Sequence, residues 1–129
     1  MTYLLDTNVL VAAVTVDTDR SETAIHALNE LDETYTSVLN LMELRTVLTK
    51  KKRFERDRVT QIEQRVRSRT NVTFPSAADT IEASRLQEET LLYPMDALVL
   101  ASAAAVDATL VSFDAELREH GAISPAELV

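Results

Sequence analysis

Apolar and polar positions alternate along the chain in two kinds of segment. Short runs rich in Leu, Val, Thr and Tyr are typical of buried strands, and longer stretches with apolar residues every three or four positions are typical of helices. The pattern predicts four strands and a candidate fifth. The strands are Thr2–Leu5, Thr34–Ser37, Asn71–Phe74 and Thr109–Phe113, with Ala122–Ser124 as the candidate fifth.

Helices are predicted between these strands. They are Asn8–Val16, Ser21–Leu31, Leu39–Lys52, Asp57–Ser68, Ala77–Glu89 and Met95–Ala105. The last of them is almost entirely apolar, so we expect it to be buried. Strands separated by helices pair in parallel through right-handed crossover connections. The sequence therefore predicts an α/β fold around a parallel sheet.

Four acidic residues stand in apolar surroundings. Asp6 directly follows the first strand and Asp114 directly follows the fourth, while Asp96 lies near the start of the apolar helix and Glu43 interrupts an apolar run. Ligands bind beyond the carboxyl ends of the strands in open parallel sheets. Asp6 and Asp114 belong to that edge, and the other two acids can reach it from the starts of their helices.

Each acid alone also has a purely structural interpretation. Asp6 is a favoured helix cap, Asp96 a favoured first-turn acid, Asp114 a turn residue, and Glu43 can face solvent. Four converging carboxylates, however, repel one another unless cations neutralise them. Sites made only of oxygen ligands suit Mg²⁺ or Mn²⁺, which the set together predicts. Asp107, at the opposite edge, is expected to be a surface turn residue.

The composition constrains the protein less than the pattern does. A chain of 129 residues without cysteine favours one domain spanning 1–129 and a reducing, cytoplasmic location. No apolar run suits a membrane span or a signal peptide. A net charge of −8 opposes nucleic acid binding, although a carboxylate metal site is itself acidic. Three lysines against ten arginines resemble salt-adapted archaeal proteins, so a haloarchaeal origin is a hypothesis.

Four segments carry a resemblance to a known family. They are Leu4-Leu5-Asp6-Thr7-Asn8-Val9-Leu10, Leu39-Asn40-Leu41-Met42-Glu43-Leu44, Asp96-Ala97-Leu98-Val99-Leu100-Ala101-Ser102-Ala103 and Thr109-Leu110-Val111-Ser112-Phe113-Asp114-Ala115-Glu116-Leu117. In this order and spacing they resemble the PIN-domain family, specifically its VapC-type toxin branch. The resemblance covers nearly the whole chain.

The resemblance implies a three-layer α/β/α fold with a central parallel sheet of four or five strands. It also implies a metal-dependent endoribonuclease that cleaves RNA, is inhibited by a cognate antitoxin protein and forms a homodimer. Asp6, Glu43, Asp96 and Asp114 match the acidic quartet that provides catalysis and metal ligation. By the same match Asn8, Ser112 and Glu116 support that site, although Asp or Asn is commoner at the last position.

Other residues have two interpretations each. The basic cluster Lys50, Lys51, Lys52 and Arg53 is either a solvated helix end or a contact for RNA or a partner. Tyr93 and Phe54 either stack on bases or pack in the core, and core packing is the ordinary role of such residues. The helical pair around residues 39–68 is a candidate groove for an antitoxin helix.

Other classes of protein share part of this acidic pattern. Receiver domains and haloacid-type phosphatases also place acids at strand ends around Mg²⁺, but both need a lysine late in the chain. No lysine follows Lys52. Two alternatives within the PIN family stay open, namely a nuclease of RNA maturation and a binding module without catalysis. The four acids argue against the second of these.

Overall fold

The computed structural model describes residues 1–15 and 19–129, and its centre is one parallel sheet. The strands are β1 (Tyr3–Leu5), β2 (Thr34–Ser37), β3 (Asn71–Thr73) and β4 (Thr109–Val111). They lie in the order β3-β2-β1-β4, and every pair is parallel. The predicted parallel sheet is therefore confirmed with four strands.

Seven α-helices connect and follow the strands within the described ranges. They are α1 (Thr7–Thr15), α2 (Ser21–Asn29), α3 (Val38–Thr46), α4 (Arg56–Arg69), α5 (Ala77–Glu89), α6 (Pro94–Ala105) and α7 (Ala115–Glu119). A π-helical segment, Val47–Lys51, prolongs α3, and a 3-10 turn, Pro125–Leu128, ends the chain. The predicted end of the first helix at Val16 lies outside the described residues.

Local chemistry explains where several helices begin. Ser37 and Ser76 each accept a backbone hydrogen bond at the start of α3 and α5, and the third residue of each helix bonds back to the cap. This reciprocal arrangement satisfies donors that a helix start otherwise leaves unpaired. Pro94 opens α6, where its fixed φ suits the first helical position.

Helices cover both faces of the sheet. Neighbouring residues of a strand point to opposite sides, so each buried strand supplies apolar side chains to both faces. Leu5 and Val111 pack into a core with residues of α1 to α4, whereas Leu4 and Leu110 pack into a second core with residues of α5 to α7. Burying one such leucine contributes about 1.5–3 kcal/mol. The fold is the predicted three-layer α/β/α arrangement.

Two features near the carboxyl terminus differ from the prediction. The candidate fifth strand forms only a single parallel bridge between Val111 and Ile123. Strand β4 also ends at Val111 rather than Phe113, because the backbone N–H of Phe113 donates to the side chain of Asn8 instead of a strand. Helix α7 was not predicted, and its five residues are too few to show a helical period.

The strand order creates a crevice beside Asp6. The chain moves from β1 to β2 to β3 in one direction, and α5 and α6 then return it to place β4 on the other side of β1. This reversal leaves the carboxyl ends of β1 and β4 adjacent, and the Asp6 N–H donates to the Val111 carbonyl at 3.0 Å. Such reversals are where open α/β sheets bind ligands.

Two other observations concern the outside of the molecule. Asp107 lies in an exposed turn before β4, with φ of 54°, as expected for a residue at the opposite edge. Asp and Asn tolerate this left-handed conformation better than most residues. Within residues 1–15 and 19–129, no helix has both the length and the apolar character required to cross a bilayer.

Candidate active site

A cavity of about 380 Å³ opens at the carboxyl ends of β1 and β4. Its walls come from α1, the turn before α2, α3 with its π-helical extension, the start of α6 and the loop after β4. Its polar and charged lining residues are Asp6, Thr7, Asn8, Thr15, Arg20, Glu43, Lys52, Asp96 and Asp114. The structure thus brings the four acids singled out from the sequence to one cavity.

Asp6 is held in place by several donors. It is 7% exposed, and its Oδ1 accepts hydrogen bonds from the Thr7 N–H at 2.9 Å and from Asn40 Nδ2 at 3.2 Å. Its Oδ2 accepts from Ser112 Oγ at 2.7 Å. A buried carboxylate needs such partners because burial removes its hydration. The capping interpretation holds for the backbone, since the Asp6 carbonyl accepts from the N–H groups of Val9 and Leu10.

Asn40 is a site residue that the sequence argument did not identify. It is completely buried, and its Oδ1 accepts from the Ser37 N–H at 3.1 Å. Its Nδ2 donates to Asp6 Oδ1 and, at 3.0 Å, to Thr7 Oγ1. One amide therefore joins the start of α3 to the end of β1. The signal was a capping pattern, Ser37 followed three residues later by Asn40.

Glu43 lies one helical turn beyond Asn40 and lines the cavity. Its Oε1 accepts a hydrogen bond from Thr7 Oγ1 at 2.7 Å, and Thr7 Oγ1 in turn accepts from Asn40. A solvent-facing register for Glu43 therefore does not describe this structure. The Thr7 hydroxyl and the Asn40 amide together therefore connect Glu43 to Asp6.

Ser112 and Asn8 connect the ends of β4 and β1 behind the acids. Asn8 Nδ2 donates to Ser112 Oγ at 3.1 Å, and the Phe113 N–H donates to Asn8 Oδ1 at 3.1 Å. Ser112 Oγ also accepts from the Asp114 N–H at 3.0 Å. Because Ser112 Oγ also donates to Asp6, this hydroxyl holds both Asp6 and the backbone of Asp114 in place.

Asp114 has a structural contact as well as a place in the cavity. Its Oδ1 accepts from the N–H groups of Glu116 and Leu117, at 2.8 and 3.2 Å, and so caps α7. No described residue donates to its Oδ2. Glu116 is exposed and is not among the residues that line the cavity, although its charge acts on Asp96.

The electrostatics of the cavity favour neutralisation of its acids. Partial burial raises the pKa of Asp96 from 3.8 to about 6, and repulsion from Asp6, Asp114, Glu43 and Glu116 adds to the effect. The pKa of Asp6 is also raised, chiefly by burial, although the hydrogen bonds from Ser112 and Thr7 oppose the rise. Both shifts mean that an additional negative charge in this cavity is costly without a cation.

Two cationic side chains reach the same cavity. Arg20, which the sequence argument did not identify, lies with its guanidinium carbon 4.8 Å from the centre of the Phe113 ring. Lys52 is the member of the basic cluster that lines the cavity. Lys51 lines a neighbouring groove, whereas Lys50 and Arg53 are simply exposed.

An apolar groove of about 400 Å³ adjoins the acids. It is lined by Leu39, Met42, Glu43, Thr46, Val47, Lys51 and Met95. Met42 is 61% exposed at this groove. Glu43 belongs to both the groove and the acidic cavity, so a molecule in the groove would lie beside the acids.

The two aromatic residues with open roles differ in the structure. Tyr93 is 74% exposed at the start of α6, so the expectation of core packing is wrong for this residue. It caps α6 through its backbone and has no need of side-chain burial there. Phe54 is partly buried against the core around α4, and the Arg58 guanidinium covers its ring at 4.0 Å.

The acids surround the cavity rather than meeting at one point. In the described part of the chain, no group of three or more acidic or histidine side chains stands ready to coordinate one ion. The chemistry of the set nonetheless fits a hard divalent cation, because its members are oxygen donors from separate elements. His26 and His120 lie outside the lining residues, in agreement with an all-oxygen set.

Solved structures of toxin–antitoxin proteins have folds similar to that of this chain. The chain is 24% identical to VapBC2 from Rickettsia felis bound to a promoter DNA fragment, with a TM-score of 0.73 and coverage of 96% of this chain and 97% of that one. A toxin–antitoxin complex from Klebsiella pneumoniae is 23% identical, with a TM-score of 0.73 and coverage of 95% and 97%. These identities establish similarity of fold.

A third structure gives a higher TM-score at lower identity. Mycobacterium tuberculosis VapC20, described as a sarcin–ricin loop cleaving toxin, has a TM-score of 0.78 at 18% identity and covers 95% of this chain and 97% of that one. No curated protein sequence matches the chain. The family model of the PIN domain matches residues 3–123, which include all four strands and all four acids. The chain therefore belongs to the PIN-domain family.

Proposed function

We propose that the protein is a metal-dependent endoribonuclease and the toxin of a toxin–antitoxin pair. The observation that carries the proposal is the placement of Asp6, Glu43, Asp96 and Asp114 around one cavity where the strand order reverses. Structural or surface acids have no reason to gather there, since their mutual repulsion costs free energy. A catalytic metal site explains the arrangement.

Mg²⁺ or Mn²⁺ is the cofactor that fits this donor set, with the four carboxylates as its direct or water-bridged ligands. A divalent cation bound here supplies phosphate charge neutralisation and a water of lowered pKa. Asp96 is well suited to binding it, because no described residue donates a hydrogen bond to its carboxylate and its pKa is raised to about 6.

The chain's own residues prepare the site in distinct ways. Asn40 and Ser112 fix both oxygens of Asp6 from opposite sides, which orients that carboxylate before any substrate arrives. Thr7 orients Glu43, which would bind the cation or orient the attacking water. Asn8 joins the ends of β1 and β4, so the spacing of Asp6 and Asp114 is fixed. Glu116 contributes charge from outside the cavity.

RNA is the proposed substrate, and the basic cluster supplies part of its contact surface. Lys52 lines the acidic cavity, and Lys51 lines the adjoining groove. Cations at these places offset the repulsion that an acidic chain exerts on phosphate. Lys50 and Arg53 extend this positive surface away from the cavity. The helical C-terminus also favours these cations, so their effect on folding must be measured separately.

A cognate antitoxin and a second copy of the chain are the proposed protein partners. Support for the antitoxin comes from fold neighbours described as VapBC2 bound to promoter DNA and as a toxin–antitoxin complex. The apolar groove beside Glu43, lined by Met42 and Met95, suits an amphipathic helix, and an antitoxin helix there would obstruct the acids. The three candidate functions are a toxin, a nuclease of RNA maturation and a binding module without catalysis. They differ in whether and where they cut RNA.

The test is cleavage of purified tRNA, precursor tRNA and ribosomal RNA in KCl buffers with Mg²⁺, with Mn²⁺ or with EDTA. Wild-type protein is compared with Asp96→Asn and with Asp107→Asn, which removes the same charge from an exposed turn outside the cavity. We expect metal-dependent cutting by the wild type and Asp107→Asn. We expect a loss of at least about a hundredfold in Asp96→Asn, since it removes a metal ligand.

Each outcome separates the candidate functions. Cutting at one or a few positions supports a toxin, whereas trimming of precursor ends supports RNA maturation. Equal cutting by Asp96→Asn contradicts the assignment of the carboxylates. Binding of RNA without cutting by the wild type in either metal supports the binding module and contradicts the nuclease.

A further inference from the structure

Arg20 occupies a place that the acidic site does not explain. It lies immediately before α2, far in sequence from every acid of the cavity, yet it lines the same cavity wall. Its guanidinium is 4.8 Å from the centre of the Phe113 ring. A cation held over an aromatic face is attracted by the electron-rich ring.

Both partners of this stack are attached to fixed backbone. Phe113 lies between Ser112 and Asp114, and its N–H donates to Asn8 Oδ1 at 3.1 Å. The Arg20 carbonyl accepts from the Ala24 N–H at 3.1 Å and from Thr23 Oγ1 at 3.2 Å. The guanidinium is therefore positioned relative to the strand end that carries Asp114.

The stack leaves the hydrogen-bonding edge of Arg20 available. The guanidinium carbon of Arg20 lies over the Phe113 ring, and the N–H donors of a guanidinium lie in its own plane. None of the described acidic side chains forms an ion pair with Arg20, although four of them line the same cavity. A planar fork of donors with a fixed face is the geometry that binds a phosphate in bidentate fashion.

We propose that Arg20, stacked on Phe113, binds a backbone phosphate of the RNA beside the acidic site and so sets the register of the strand across it. The proposal rests on the proposed ribonuclease function. It adds a cationic contact to the cavity that the acids line, and it makes Phe113 the residue that positions Arg20. Neither residue reacts with the scissile bond.

The test measures RNA affinity separately from cleavage. Fluorescein-labelled bulk tRNA is titrated with the protein carrying Asp96→Asn, alone and combined with Arg20→Ala, Arg20→Lys or Phe113→Leu, over a series of KCl concentrations. Arg65→Ala is the matched control, because Arg65 is exposed on α4 and does not line the cavity. Thermal melting of each variant checks folding.

Loss of one charge-assisted bidentate contact predicts about tenfold weaker binding for Arg20→Ala. The salt dependence should fall by about one phosphate contact. Arg20→Lys keeps the charge and should recover part of the affinity, and Phe113→Leu should weaken binding by about threefold because the stack is lost. In the catalytically intact chain, Arg20→Ala should raise KM more than it lowers kcat.

The contrary results are distinct. If Arg20→Ala and Arg65→Ala bind tRNA with the same affinity and salt dependence while the parent binds, Arg20 has no phosphate contact and the ribonuclease proposal survives. If Arg20→Lys is as weak as Arg20→Ala and both melt early, the residue is structural and the proposal fails. If the parent binds no tRNA and the wild type cuts no RNA, both proposals fail together.

Discussion

A buried carboxylate at the end of β1 is stable only because polar groups surround it. Asp6 is 7% exposed, and Asn40, Thr7 and Ser112 donate to its two oxygens. The single side-chain amide of Asn40 forms hydrogen bonds to the start of α3, to Thr7 and to Asp6, although little in the sequence marks this residue. The position of a metal ligand is thereby coupled to the stability of the fold.

Replacement of Asn40 by alanine should therefore affect both properties. We expect Asn40→Ala to lower the free energy of unfolding by about 1–3 kcal/mol, because it leaves buried polar groups without partners. Chemical denaturation measures this loss. Asn29→Ala, which changes an exposed residue at the end of α2, is the control and should be nearly neutral. Equal effects of the two substitutions would show that the buried network contributes nothing.

Asp96 should show the opposite relation between stability and function. Its pKa in the fold, about 6, lies above its ordinary value of 3.8, so ionisation destabilises the metal-free fold once the pH rises through this range. Asp96→Asn should therefore have a higher free energy of unfolding than wild type at pH 7.5 in EDTA, by about 1 kcal/mol after allowance for solvent screening, and should melt at a higher temperature.

The gain should shrink as the pH falls from 6 toward 4, where wild-type Asp96 becomes neutral. Thermal melts in EDTA across this range measure it. Asp107→Asn, on an exposed turn, should show no comparable change. A variant at Asp96 that is less stable than wild type at pH 7.5 would mean that the carboxylate is a structural group rather than one held under repulsion.

Helices α5 and α6 form the crossover connection from β3 to β4. They pack against each other on the face opposite α1 to α4 and deliver β4 to the side of β1. The start of α5 is fixed by Ser76, whose Oγ accepts from the Asp79 N–H at 3.2 Å while Asp79 Oδ2 accepts from the Ser76 N–H at 3.1 Å. This cap lies away from the cavity.

Removal of that cap should lower stability without changing the chemistry. We expect Ser76→Ala to cost about 1 kcal/mol in the free energy of unfolding, because it removes a helix cap. Ser84→Ala, an exposed position within the same helix, should be neutral or slightly stabilising because alanine favours helix. RNA cleavage by folded Ser76→Ala should equal that of wild type, and a large loss of activity would contradict the separation of α5 from the site.

Hydrophobic periodicity predicted the elements that repeat long enough to show it. Strand β2 and helix α5 begin and end where they were predicted. Helix α7 was missed because five residues after Asp114 show less than two turns. The prediction of a fifth strand was wrong in extent, because only Ile123 pairs with β4. Strand β4 ends at Val111, two residues before the predicted end. Tertiary hydrogen bonds, which no local pattern records, decided both endings.

The candidate site was predictable where apolar context singled out a charge. Asp6 and Asp114 follow parallel strands, so pairing alone predicted that they share an edge of the sheet, and the strand order then brings β1 and β4 side by side. Asn40 and Arg20 were not predictable in this way. Asn40 serves by a contact across 34 positions of sequence, and Arg20 reaches the cavity through an aromatic ring on another element. Their roles depend on packing between elements.

At the scale of the whole molecule, charge is distributed against the simplest expectation for an RNA-binding protein. The chain carries a net charge of −8, yet its cavity combines acids with Arg20 and Lys52. Cations from solution, rather than the protein alone, must therefore offset the repulsion of phosphate by the acids. The central claim is that the four carboxylates exist to bind a divalent cation.

Calorimetric titration of Mn²⁺ into metal-free protein tests this claim most directly. Wild type and Asp107→Asn should bind Mn²⁺ alike, and Asp96→Asn should bind at least about tenfold more weakly, because one ligand has lost its charge. The two variants lose the same charge, one inside the cavity and one outside it, so a difference between them reports on the cavity. If Asp96→Asn binds Mn²⁺ as tightly as wild type, or wild type binds none, the four acids are not a metal site.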